Sequence, residues 1–486
     1  MKKLLDILQD IRPTKIVGNS DVIFGSIQFD SRKVGEGDIF VAMLGTQTDG
    51  HMYIPQVIEK QAAAIVCEIL PEEMPAHITF IQVESASKAL GQLISAFYGY
   101  PSQQMTLVGV TGTNGKTSIA TLLYNLFKSL GYKAGLLSTV VNYVDDTKIE
   151  ATHTTPDAIT INKLMHEMVE ANCEYCFMEV SSHAIDQDRV AGLDFNGAIF
   201  TNLTRDHLDY HSTFAAYRDA KKKLFDGLNA NAFALYNADD KNGSVMVQNC
   251  KADIKSYSSK GLADFKVKII ERHFDGMQLN IDGQDVWVSF TGDFNAMNLL
   301  AVYSSAVLLD EEPADVLVEM SKLKPVAGRF ETMKSKDDVA AIVDYAHTPD
   351  ALINVLDTIN VIRRGEGSLI TVVGAGGNRD KGKRPLMAEA SVARSEKVIL
   401  TSDNPRFEEP ETIIEDMYAG IPEDAKGKVL KITNREQAIH TAIMLAGPGD
   451  VILVAGKGHE TYQDVKGVKS HFDDKEIVEK YFKQRP

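Results

Sequence analysis

Apolar and polar residues alternate along the chain with two periods, one typical of buried strands and one typical of amphipathic helices. In residues 1–98, the short apolar runs DIFVAML, AAAIVCEIL and ITFIQV are separated by stretches with helical spacing. The following segment FYGYPSQQ, residues 97–104, combines aromatic, Gly, Pro and polar residues, which is typical of a linker. We therefore expect a first α/β domain over residues 1–98.

A second α/β region begins at Met105, where the strand-like run MTLVGV leads into glycines and a helix. The helix is predicted by apolar residues with helical spacing, which would form one buried face ending before Gly131: Ile119, Leu122, Leu123, Leu126, Phe127 and Leu130. The runs FMEV (177–180) and GAIFTNL (197–203) are typical of buried strands. Around residues 263–291, alternating residues and two Asp-Gly pairs predict hairpins. We expect a central domain over residues 99–328, with a mostly parallel sheet and a small antiparallel sheet.

The last region again alternates strands with helices. Its apolar runs are AAIVDYA, SLITVVGAG, KVILTSD and DVILVAG. Strands that alternate with helical stretches favour a parallel sheet covered by helices. The pattern predicts a Rossmann-like α/β domain over residues 329–486, and a three-domain α/β protein overall.

The composition fits a globular protein and narrows its partners. The 486 residues are 44% hydrophobic and 24% charged, with a formal net charge of −16. An acidic surface disfavours nucleic acid and anionic membranes, and no apolar run of about 18 residues could span a membrane. Cys173 and Cys176 form a single CxxC without a second pair for zinc, so we expect core cysteines in a reducing cytosol. We expect a cytoplasmic protein that is a monomer.

The run VTGTNGKTS, residues 110–118, predicts a loop that holds a polyphosphate. Glycines let backbone N–H groups surround an anion, and the following helix adds its positive end. Lys116 would reach the outer phosphates, and the Thr117 hydroxyl would bind Mg²⁺. The spacing departs from GxxxxGK because Val110 occupies the first glycine position. A glycine-rich turn without a ligand is the alternative.

Two further strand ends carry residues suited to a metal. Glu179 ends the run FMEV, and a carboxylate there would support the Mg²⁺ of a phosphate loop; the alternative is a surface acid. The segment TNLTRDHLDYH, residues 201–211, places Asp206 and His207 at another strand end. Mg²⁺ prefers oxygen, so the residues alone leave direct metal contact by His207 open.

Lys221 is placed on an apolar helix face. In YRDAKKKLFDGL, it shares helical spacing with Tyr217 and Leu224, whereas Lys222 and Lys223 point away. A buried lysine must be paired, neutral or chemically modified. A side chain that extends along the apolar surface to water is the alternative.

Charged loops end three strands of the last region. GAGGNRDKGKRP (374–385) places Arg379, Lys381, Lys383 and Arg384 in one cationic loop, and it is not the dinucleotide fingerprint because Arg379 stands at the third glycine position. DNPR (403–406) and GKGHE (456–460) end two later strands. We expect these loops to form one pocket, although a solvated basic turn is the alternative. The acids at 408–409 are expected on the surface.

Several motifs follow one another along nearly the whole chain: DSR (30–32), GTNGKTS (112–118), HTTP (153–156), EVSSH (179–183), RDHLDYH (205–211), AK (220–221), GRFE (328–331), DYAHTPD (344–350), GNRDKGKRPLM (377–387), DNPR and GKGHE. In this order and spacing they resemble the Mur ligase family, the ATP-dependent enzymes that add amino acids to peptidoglycan precursors. The resemblance implies a UDP-sugar-binding domain, a central ATPase domain and a C-terminal domain that closes over ATP and the amino acid. It implies ATP and Mg²⁺ as cofactors.

The resemblance also implies roles for residues at matching positions. The residues implied to bind ATP are Gly112, Thr113, Asn114, Gly115, Lys116, Thr117, Ser118, Asn295, Asn298, Arg329 and Asp344. Those implied to hold Mg²⁺ are Thr117, Glu179, His207 and Lys221, the last as a carbamate formed with CO₂; Lys116, Lys221, His207 and Arg329 are the implied catalytic residues. The implied UDP-sugar-peptide site contains Ser31, Thr46, Gln47, His153, Thr154, Thr155, Ser181, Gln187 and Arg189. In two places the chain departs from the family, with Thr46-Gln47-Thr48 for an HQA-type stretch and His153 for the Asn of NTT.

The implied amino-acid site contains Arg379, Asp403, Asn404, Pro405, Arg406, Gly456 and Glu460. Arg406 presents a planar fork suited to a carboxylate. meso-Diaminopimelate has a carboxylate at its far end, whereas lysine has only an ammonium group there. The implied reaction is the addition of meso-diaminopimelate to UDP-N-acetylmuramoyl-L-alanyl-D-glutamate through an acyl phosphate.

Three alternatives remain open from the sequence. The same ligation could use L-lysine, although Arg406 argues against it. A folylpolyglutamate-synthetase-like ligase would share the phosphate loop and the domain plan, but not the DNPR and GNRDKGKRPLM motifs. A phosphate-loop ATPase acting as a motor or a binding module would turn over ATP without forming an amide.

Overall fold

A computed structural model describes residues 2–45 and 48–485 of the chain. The first region contains a five-stranded sheet in the order β2-β7-β6-β5-β4, in which only β2 is antiparallel to its neighbour. Its elements are β1 Lys2–Lys3, α1 Leu4–Leu8, β2 Lys15–Val17, β3 Ile23–Phe24, β4 Ile27–Gln28, β5 Ile39–Ala42, α2 Ile54–Glu59, β6 Ala64–Cys67, β7 Thr79–Gln82 and α3 Ala86–Phe97.

The central region is built on an eleven-stranded sheet in the order β11-β10-β9-β12-β8-β13-β14-β15-β16-β17-β18. Its strands are β8 Thr106–Thr111, β9 Ala134–Leu137, β10 Val141–Val144, β11 Thr147–Glu150, β12 Tyr175–Glu179, β13 Gly197–Phe200, β14 Phe233–Asn237, β15 Asp253–Ser258, β16 Phe265–His273, β17 Gly276–Ile281 and β18 Gln284–Val288. Its helices are α4 Lys116–Ser129, α5 Ala158–Glu170, α6 Ser182–Asp186, α7 Leu208–His211, α8 Phe214–Asp226, α9 Gly243–Met246, α10 Asp293–Leu308 and α11 Pro313–Lys322.

The predicted hairpins are present, but they continue the central sheet. β15 and β16 pair in parallel through Tyr257–Phe265 and Ser258–Lys266, and β16 to β18 then follow as antiparallel strands. Residues of β16–β18 share one core with α4, α10 and α11, so the antiparallel edge is packed together with the phosphate-loop helix.

The last region forms a six-stranded sheet in the order β19-β20-β24-β21-β22-β23, parallel except for β19. Its elements are β19 Glu331–Lys334, β20 Ala340–Asp344, α12 Pro349–Arg363, β21 Leu369–Val373, α13 Lys383–Val392, β22 Lys397–Leu400, α14 Pro410–Tyr418, β23 Val429–Lys431, α15 Arg435–Leu445, β24 Val451–Ala455, β25 Tyr462–Val465, β26 Val468–His471 and α16 Asp474–Phe482. The three-domain α/β architecture is therefore confirmed, while the boundaries at residues 98 and 328 stay predictions.

The predicted face of α4 is confirmed. Ile119, Leu122, Leu123, Leu126 and Phe127 are at most 1% exposed, and Leu130 packs against the same core. Gly131 follows the helix with a φ of +101°, a conformation that glycine adopts easily. This packing fixes the helix behind the phosphate loop. Within the described ranges, no helix is both long and apolar enough to cross a bilayer.

Candidate active site

The phosphate loop connects β8 to α4 and has a backbone that requires glycine. Gly112 has a φ of +151°, and a Cβ on it would lie 1.9 Å from Thr201 Oγ1. Gly115 has a φ of +89° directly before α4. Lys116 Nζ donates to the carbonyl oxygens of Gly112 (3.0 Å) and Thr113 (2.7 Å), so its ammonium lies over its own loop. This arrangement leaves a cationic cradle at the positive end of α4.

Glu179 lies at the carboxyl end of β12 and is completely buried beside the loop. Its Oε2 accepts a hydrogen bond from Thr117 Oγ1 at 3.0 Å, and its Oε1 accepts one from Thr139 N at 2.7 Å. The alternative of a surface acid is therefore wrong. Glu179 and Thr117 together present two oxygen donors next to the cradle.

Lys221 is buried on α8, as its position on the apolar helix face predicted, with 1% of its surface exposed. Its Nζ donates to the Gly112 carbonyl oxygen at 2.7 Å and lies 4.8 Å from the centre of the Tyr217 ring. Burial and the neighbouring Lys116 ammonium hold the pKa of Lys221 well below its usual range. The amine is therefore driven towards its neutral, nucleophilic form, which can react with CO₂.

His207 lies on the opposite wall, just before α7, with a φ of +54°. Its Nε2 is 3.4 Å from Asp206 Oδ2, and its ring stands edge-on to that of His183 at 4.8 Å. Loss of hydration in the cavity lowers the pKa of His207, so its imidazole is neutral at neutral pH. A neutral imidazole can donate a nitrogen lone pair to a metal.

Arg329 comes from the connection into the last region and reaches the phosphate loop. Its Nη2 donates to Thr117 Oγ1 at 3.2 Å, and its guanidinium lies 4.5 Å from the centre of the Tyr345 ring. Its Nε is buried and has no hydrogen-bond partner within residues 2–45 and 48–485. A buried, unpaired N–H of a cation is suited to an anionic ligand.

A cavity of about 190 Å³ lies between the phosphate loop and the last region. Its lining includes Asn114, Gly115, Ser118, Asn298, Arg329, Asp344 and Tyr345. Asp344 is buried at the end of β20, and its two oxygens accept hydrogen bonds from the N–H groups of Phe330 and Ala346, both at 2.7 Å. Asn295 does not line this cavity. It instead accepts a hydrogen bond from Asn298 Nδ2 at 3.3 Å, so it supports Asn298 from behind.

The residues implied to bind the UDP-sugar-peptide are divided between two places. Thr154 and Ser181 line a larger cavity of about 280 Å³ that also contains Lys116, Thr117, Glu179, His207 and Lys221. Thr155 is buried behind them and donates to the Glu179 carbonyl oxygen at 2.8 Å. Arg189 Nη1 donates to the Thr155 carbonyl oxygen at 2.8 Å, and Arg189 Nη2 donates to Gln187 Oε1 at 2.6 Å.

The other members of this set lie apart from the larger cavity. Ser31 is buried in the first region, where its carbonyl oxygen accepts a hydrogen bond from Lys60. His153 is exposed and its Nδ1 lies 3.1 Å from Thr152 Oγ1. Thr46 and Gln47 lie outside the described residues. Roles for this set in binding stay predictions.

The three charged loops of the last region meet at the far side of the larger cavity. Arg379, Asp403, Asn404, Arg406, Gly456 and Glu460 all line it, and Pro405 is buried next to them. Arg406 Nη1 donates to the Gly377 carbonyl oxygen at 2.8 Å. Asn404 Nδ2 donates to Glu460 Oε2 at 2.7 Å. The prediction that these loops form one pocket is confirmed.

Arg384 of the cationic loop and Glu408 of the predicted surface form a buried ion pair instead. Arg384 is completely buried, and its guanidinium pairs with Glu408 at 2.9 Å and with Asp416 at 2.8 Å. Glu408 is only 16% exposed, and the Arg384 guanidinium holds the pKa of its carboxyl to about 2. The placement of Glu408 on the surface is therefore wrong. Arg384 belongs to the cationic loop by sequence, but it pairs with Glu408 and with Asp416 of α14 and does not line the larger cavity.

The sequence did not single out three residues that organise the site. Tyr345 supports the Arg329 guanidinium, Asp350 Oδ2 accepts a hydrogen bond from Asn114 Nδ2 at 3.2 Å, and Lys457 is fully buried beside Glu460. All three belong to the motifs DYAHTPD and GKGHE, so the motifs were the available signal. Their partners lie up to 236 positions away along the chain, so no local sequence pattern could have identified these contacts.

The residues around the phosphate loop fit a Mg²⁺ ion that is bound partly by the protein and partly by substrate phosphates. No three His, Cys, Asp or Glu side chains of the described chain are placed to hold a metal by themselves. Mg²⁺ usually binds through one or two carboxylates together with phosphate oxygens and water. Glu179 and the Thr117 hydroxyl supply oxygen donors of this kind, and a carbamate on Lys221 would add another.

Comparison with known proteins assigns this architecture to a family. The chain matches the Mur ligase family, catalytic domain over residues 24–98, the Mur ligase middle domain over 110–306, and the Mur ligase, glutamate ligase domain over 328–458. It is 58% identical over 480 residues to the UDP-N-acetylmuramoyl-L-alanyl-D-glutamate--2,6-diaminopimelate ligase of Bacteroides fragilis, with 99% of each chain covered.

Solved structures agree with this assignment. A structure of a UDP-N-acetylmuramoyl-L-alanyl-D-glutamate--2,6-diaminopimelate ligase is 31% identical, covers 99% of each chain and gives a TM-score of 0.69. The MurF ligase from Thermotoga maritima, in complex with ADP, shares the fold with a TM-score of 0.62 at 20% identity over 95% of this chain and 98% of that one. The chain belongs to the Mur ligase family. It is an ATP-dependent ligase that joins a carboxylic acid to an amino acid.

Proposed function

We propose that this ligase adds meso-diaminopimelate to UDP-N-acetylmuramoyl-L-alanyl-D-glutamate. The relatives of B. fragilis and of Bacteroides thetaiotaomicron, 58% and 57% identical, carry the name of that reaction. Both proposed substrates are water-soluble small molecules, so we further propose that the protein works in the cytoplasm.

The observation that carries the choice of amino acid is the environment of Arg406. Its guanidinium lines the larger cavity and makes one hydrogen bond, to the Gly377 carbonyl oxygen, among the described residues. Asp403 and Glu460 line the same end. An amino acid whose far end carries both a carboxylate and an ammonium group would match both charges, whereas lysine would bring no carboxylate for Arg406 to bind.

Lys116 and Arg329 would act on the first step, in which the peptide carboxylate takes the γ-phosphoryl group of ATP. Both reactants are anions, and their approach is unfavourable without cations between them. Lys116 lies over the phosphate loop, and Arg329 reaches Thr117 from the other side of the cavity. These two cations would align the reactants and neutralise the charge that the transferred group carries.

The second step is the attack of the amino group on the acyl phosphate, with release of phosphate. The amine must lose a proton and be held close to the activated carbonyl carbon. Asp403 and Glu460 would hold the far ammonium of the diamino acid, and Arg406 the far carboxylate, so the reacting amine points towards the phosphate loop. Fixing both groups at one end raises the effective concentration of the amine at the other end.

Mg²⁺ would be held by Thr117, Glu179, His207 and Lys221 in its carbamylated form. When bound, the ion would neutralise phosphate charge and orient the phosphoryl group. The burial of Lys221 and its depressed pKa support carbamylation, because only the neutral amine reacts with CO₂. The carbamate would place an anion beside the Lys116 ammonium, where a protonated Lys221 would be a like charge.

The test is ATP-dependent phosphate release by the purified protein with UDP-N-acetylmuramoyl-dipeptide and one amino acid at a time. We expect turnover with meso-diaminopimelate, weak turnover with L-lysine, and a product whose mass contains the added residue. Equal turnover with lysine would keep the ligase and reject the diaminopimelate assignment. ATP consumption without any amide product would reject the peptide substrate as well.

A further inference from the structure

Lys457, in the middle of the GKGHE motif, is the most deeply buried lysine near the amino-acid pocket. Its side chain is 0% exposed. Its Nζ donates to Asn404 Oδ1 at 3.1 Å and to Glu460 Oε2 at 3.3 Å, and it lies 5.5 Å from the centre of the Tyr462 ring. Lys457 does not line the cavity, so it contacts the pocket walls from behind.

The backbone of the loop around Lys457 directs the Lys457 side chain into the protein interior. Gly456 has a φ of +116°, and a Cβ there would lie 2.7 Å from Asp403 Oδ2. Gly458 has a φ of +50°, and a Cβ there would lie 2.6 Å from the Gly328 carbonyl oxygen. The two glycines let the chain turn sharply on either side of Lys457, and the turn directs its side chain towards Asn404.

The hydrogen bonds leave one oxygen of Glu460 available. Oε2 accepts from both Asn404 Nδ2, at 2.7 Å, and Lys457 Nζ. Oε1 accepts no hydrogen bond from the residues that the structure describes. Asn404 Oδ1 is occupied as well, by Lys457 and by the Asp464 N–H at 2.9 Å. Asn404 and Lys457 therefore fix the orientation of Glu460, and its Oε1 is the oxygen that can accept from a ligand.

Lys457 is the cation that acts most strongly on the two carboxylates, Asp403 and Glu460, in this part of the pocket. Arg435 is buried nearby but pairs with Asp474 through two hydrogen bonds, at 2.8 and 2.7 Å. Lys457 therefore offsets part of the negative charge of Asp403 and Glu460. Although burial raises it, the Lys457 and Arg435 cations hold the pKa of Asp403 below its usual range. Two adjacent carboxylates without Lys457 would favour protonation of one of them.

We propose that Lys457 is a positioning residue for amino-acid selection: it holds the Glu460 carboxylate so that one oxygen faces the ammonium group of the incoming diamino acid. This proposal rests on the proposed function, because it assumes that the pocket binds an amino acid with an ammonium group at its far end. Lys457 acts through Glu460, which Asn404 also holds, and it touches neither substrate nor ATP.

The test is a kinetic comparison of Lys457→Met with the wild-type protein, with each substrate varied in turn. We expect KM for the diamino acid to rise by roughly 10–100-fold, because a charged hydrogen bond to Glu460 is lost. We expect kcat, and KM for ATP, to change by no more than about 3-fold, since the phosphate loop is untouched. Lys469→Met is the matched control, because Lys469 is exposed and lies 4.2 Å from the same Tyr462 ring; it should behave as wild type.

A double-mutant cycle with Glu460→Gln separates positioning from a general effect on folding. If Lys457 acts through Glu460, the double variant has the same KM for the diamino acid as Glu460→Gln alone. Lys457→Gln is the second variant, in case the Met variant does not fold, and its KM must shift in the same direction. Additive effects in the cycle, or an equal loss of kcat/KM for all three substrates, would overturn the proposal.

The two proposals fail in different ways. The wild-type protein reports on the proposed function, because it either uses meso-diaminopimelate or does not. The variants report on Lys457 with whichever diamino acid the wild-type protein uses, lysine included. A wild-type protein that prefers lysine, together with a KM effect in Lys457→Met, would reject the diaminopimelate assignment and retain the role of Lys457.

Discussion

At the scale of single residues, the site depends on charged groups that are removed from water and held by few partners. Glu179 and Lys221 are fully buried, and the buried Nε of Arg329 is unpaired within the described residues. Burying such groups is unfavourable unless a ligand or a partner completes them. The proposed nucleotide and Mg²⁺ would complete these groups.

The Asp344 carboxyl gives a prediction for pH. Burial raises its pKa to about 6, although the Arg329 guanidinium and the N–H groups of Phe330 and Ala346 act in the opposite direction. The ionised form accepts both N–H groups, and it is the form that can accept from a ribose hydroxyl. We expect KM for ATP to rise as the pH is lowered through about 6, because protonation removes an acceptor.

The raised pKa of Asp344 also affects the stability of the folded protein, but in the opposite direction: stability falls as the pH rises. A carboxyl whose pKa is raised on folding favours the folded protein while it is protonated, and this contribution is lost as the pH rises through about 6. Asp344→Asn cannot titrate, so between about pH 5 and about pH 8 its KM for ATP should be high and should lack the part of the pH dependence that Asp344 contributes. A wild-type KM for ATP that stays constant over this range would contradict the assignment of Asp344 to the nucleotide.

Some side-chain positions in the site could be predicted from the sequence, and others could not. The burial of Lys221 was predictable, because helical spacing fixes which side of an amphipathic helix faces the core. The partners of Lys457 and Arg384 were not predictable, because Asn404, Glu408 and Asp416 come from other loops and helices. Those contacts depend on how separate elements are oriented in three dimensions.

At the scale of elements, the connection from α11 to β19 links the phosphate loop to the amino-acid pocket. Gly328 has a φ of +66°, and its carbonyl oxygen accepts a hydrogen bond from Tyr345 N at 3.0 Å. A Cβ on Gly328 would lie 2.1 Å from His459 N. The close approach of these two segments places Arg329 at the phosphate loop and the GKGHE motif at the pocket.

Gly328→Ala should therefore be more harmful than an ordinary glycine substitution. Gly283, in the β17–β18 turn, has a φ of +89° and open space around its Cβ position, so Gly283→Ala isolates the backbone cost of about 1–2 kcal/mol. We expect Gly328→Ala to reduce the free energy of unfolding by more than this, and to lower kcat because Arg329 is displaced. Equal losses of stability in the two variants, with kcat unchanged, would contradict the close packing of this connection.

Most strands and helices near the site followed from the hydrophobic pattern. The strands that end in Thr111, Glu179, Asp344 and Ala455 were each predicted from an apolar run, and the hairpins of residues 265–288 from alternation and Asp-Gly pairs. The order of strands in the sheets was not predictable. β8 lies between β12 and β13, and β24 between β20 and β21, because the connecting helices carry the chain across each sheet.

At the scale of the whole molecule, the site exists because two sheets present their carboxyl ends to each other. β8, β12 and β13 supply the phosphate loop, Glu179 and Thr201, and the last region supplies the amino-acid loops. Direct contacts join the two sides, from Asn114 to Asp350 at 3.2 Å and from Arg329 to Thr117 at 3.2 Å. The phosphate loop and the amino-acid loops therefore face each other across the larger cavity.

The amino-acid specificity of the protein is tested by the ratio of kcat/KM for meso-diaminopimelate to kcat/KM for L-lysine, in the wild-type protein and in Arg406→Ala. We expect the wild-type ratio to be large and Arg406→Ala to reduce it by ~10–150-fold, because the variant loses a charged hydrogen bond to the far carboxylate.

Arg394→Ala is the matched control for this measurement, because Arg394 lies on the outside of the last region, where it pairs with Asp357 at 2.7 Å. Its ratio should equal that of the wild-type protein. A collapse of the ratio in Arg406→Ala alone is the result that the proposed function predicts. A ratio that is the same in Arg406→Ala and in the wild-type protein would contradict it.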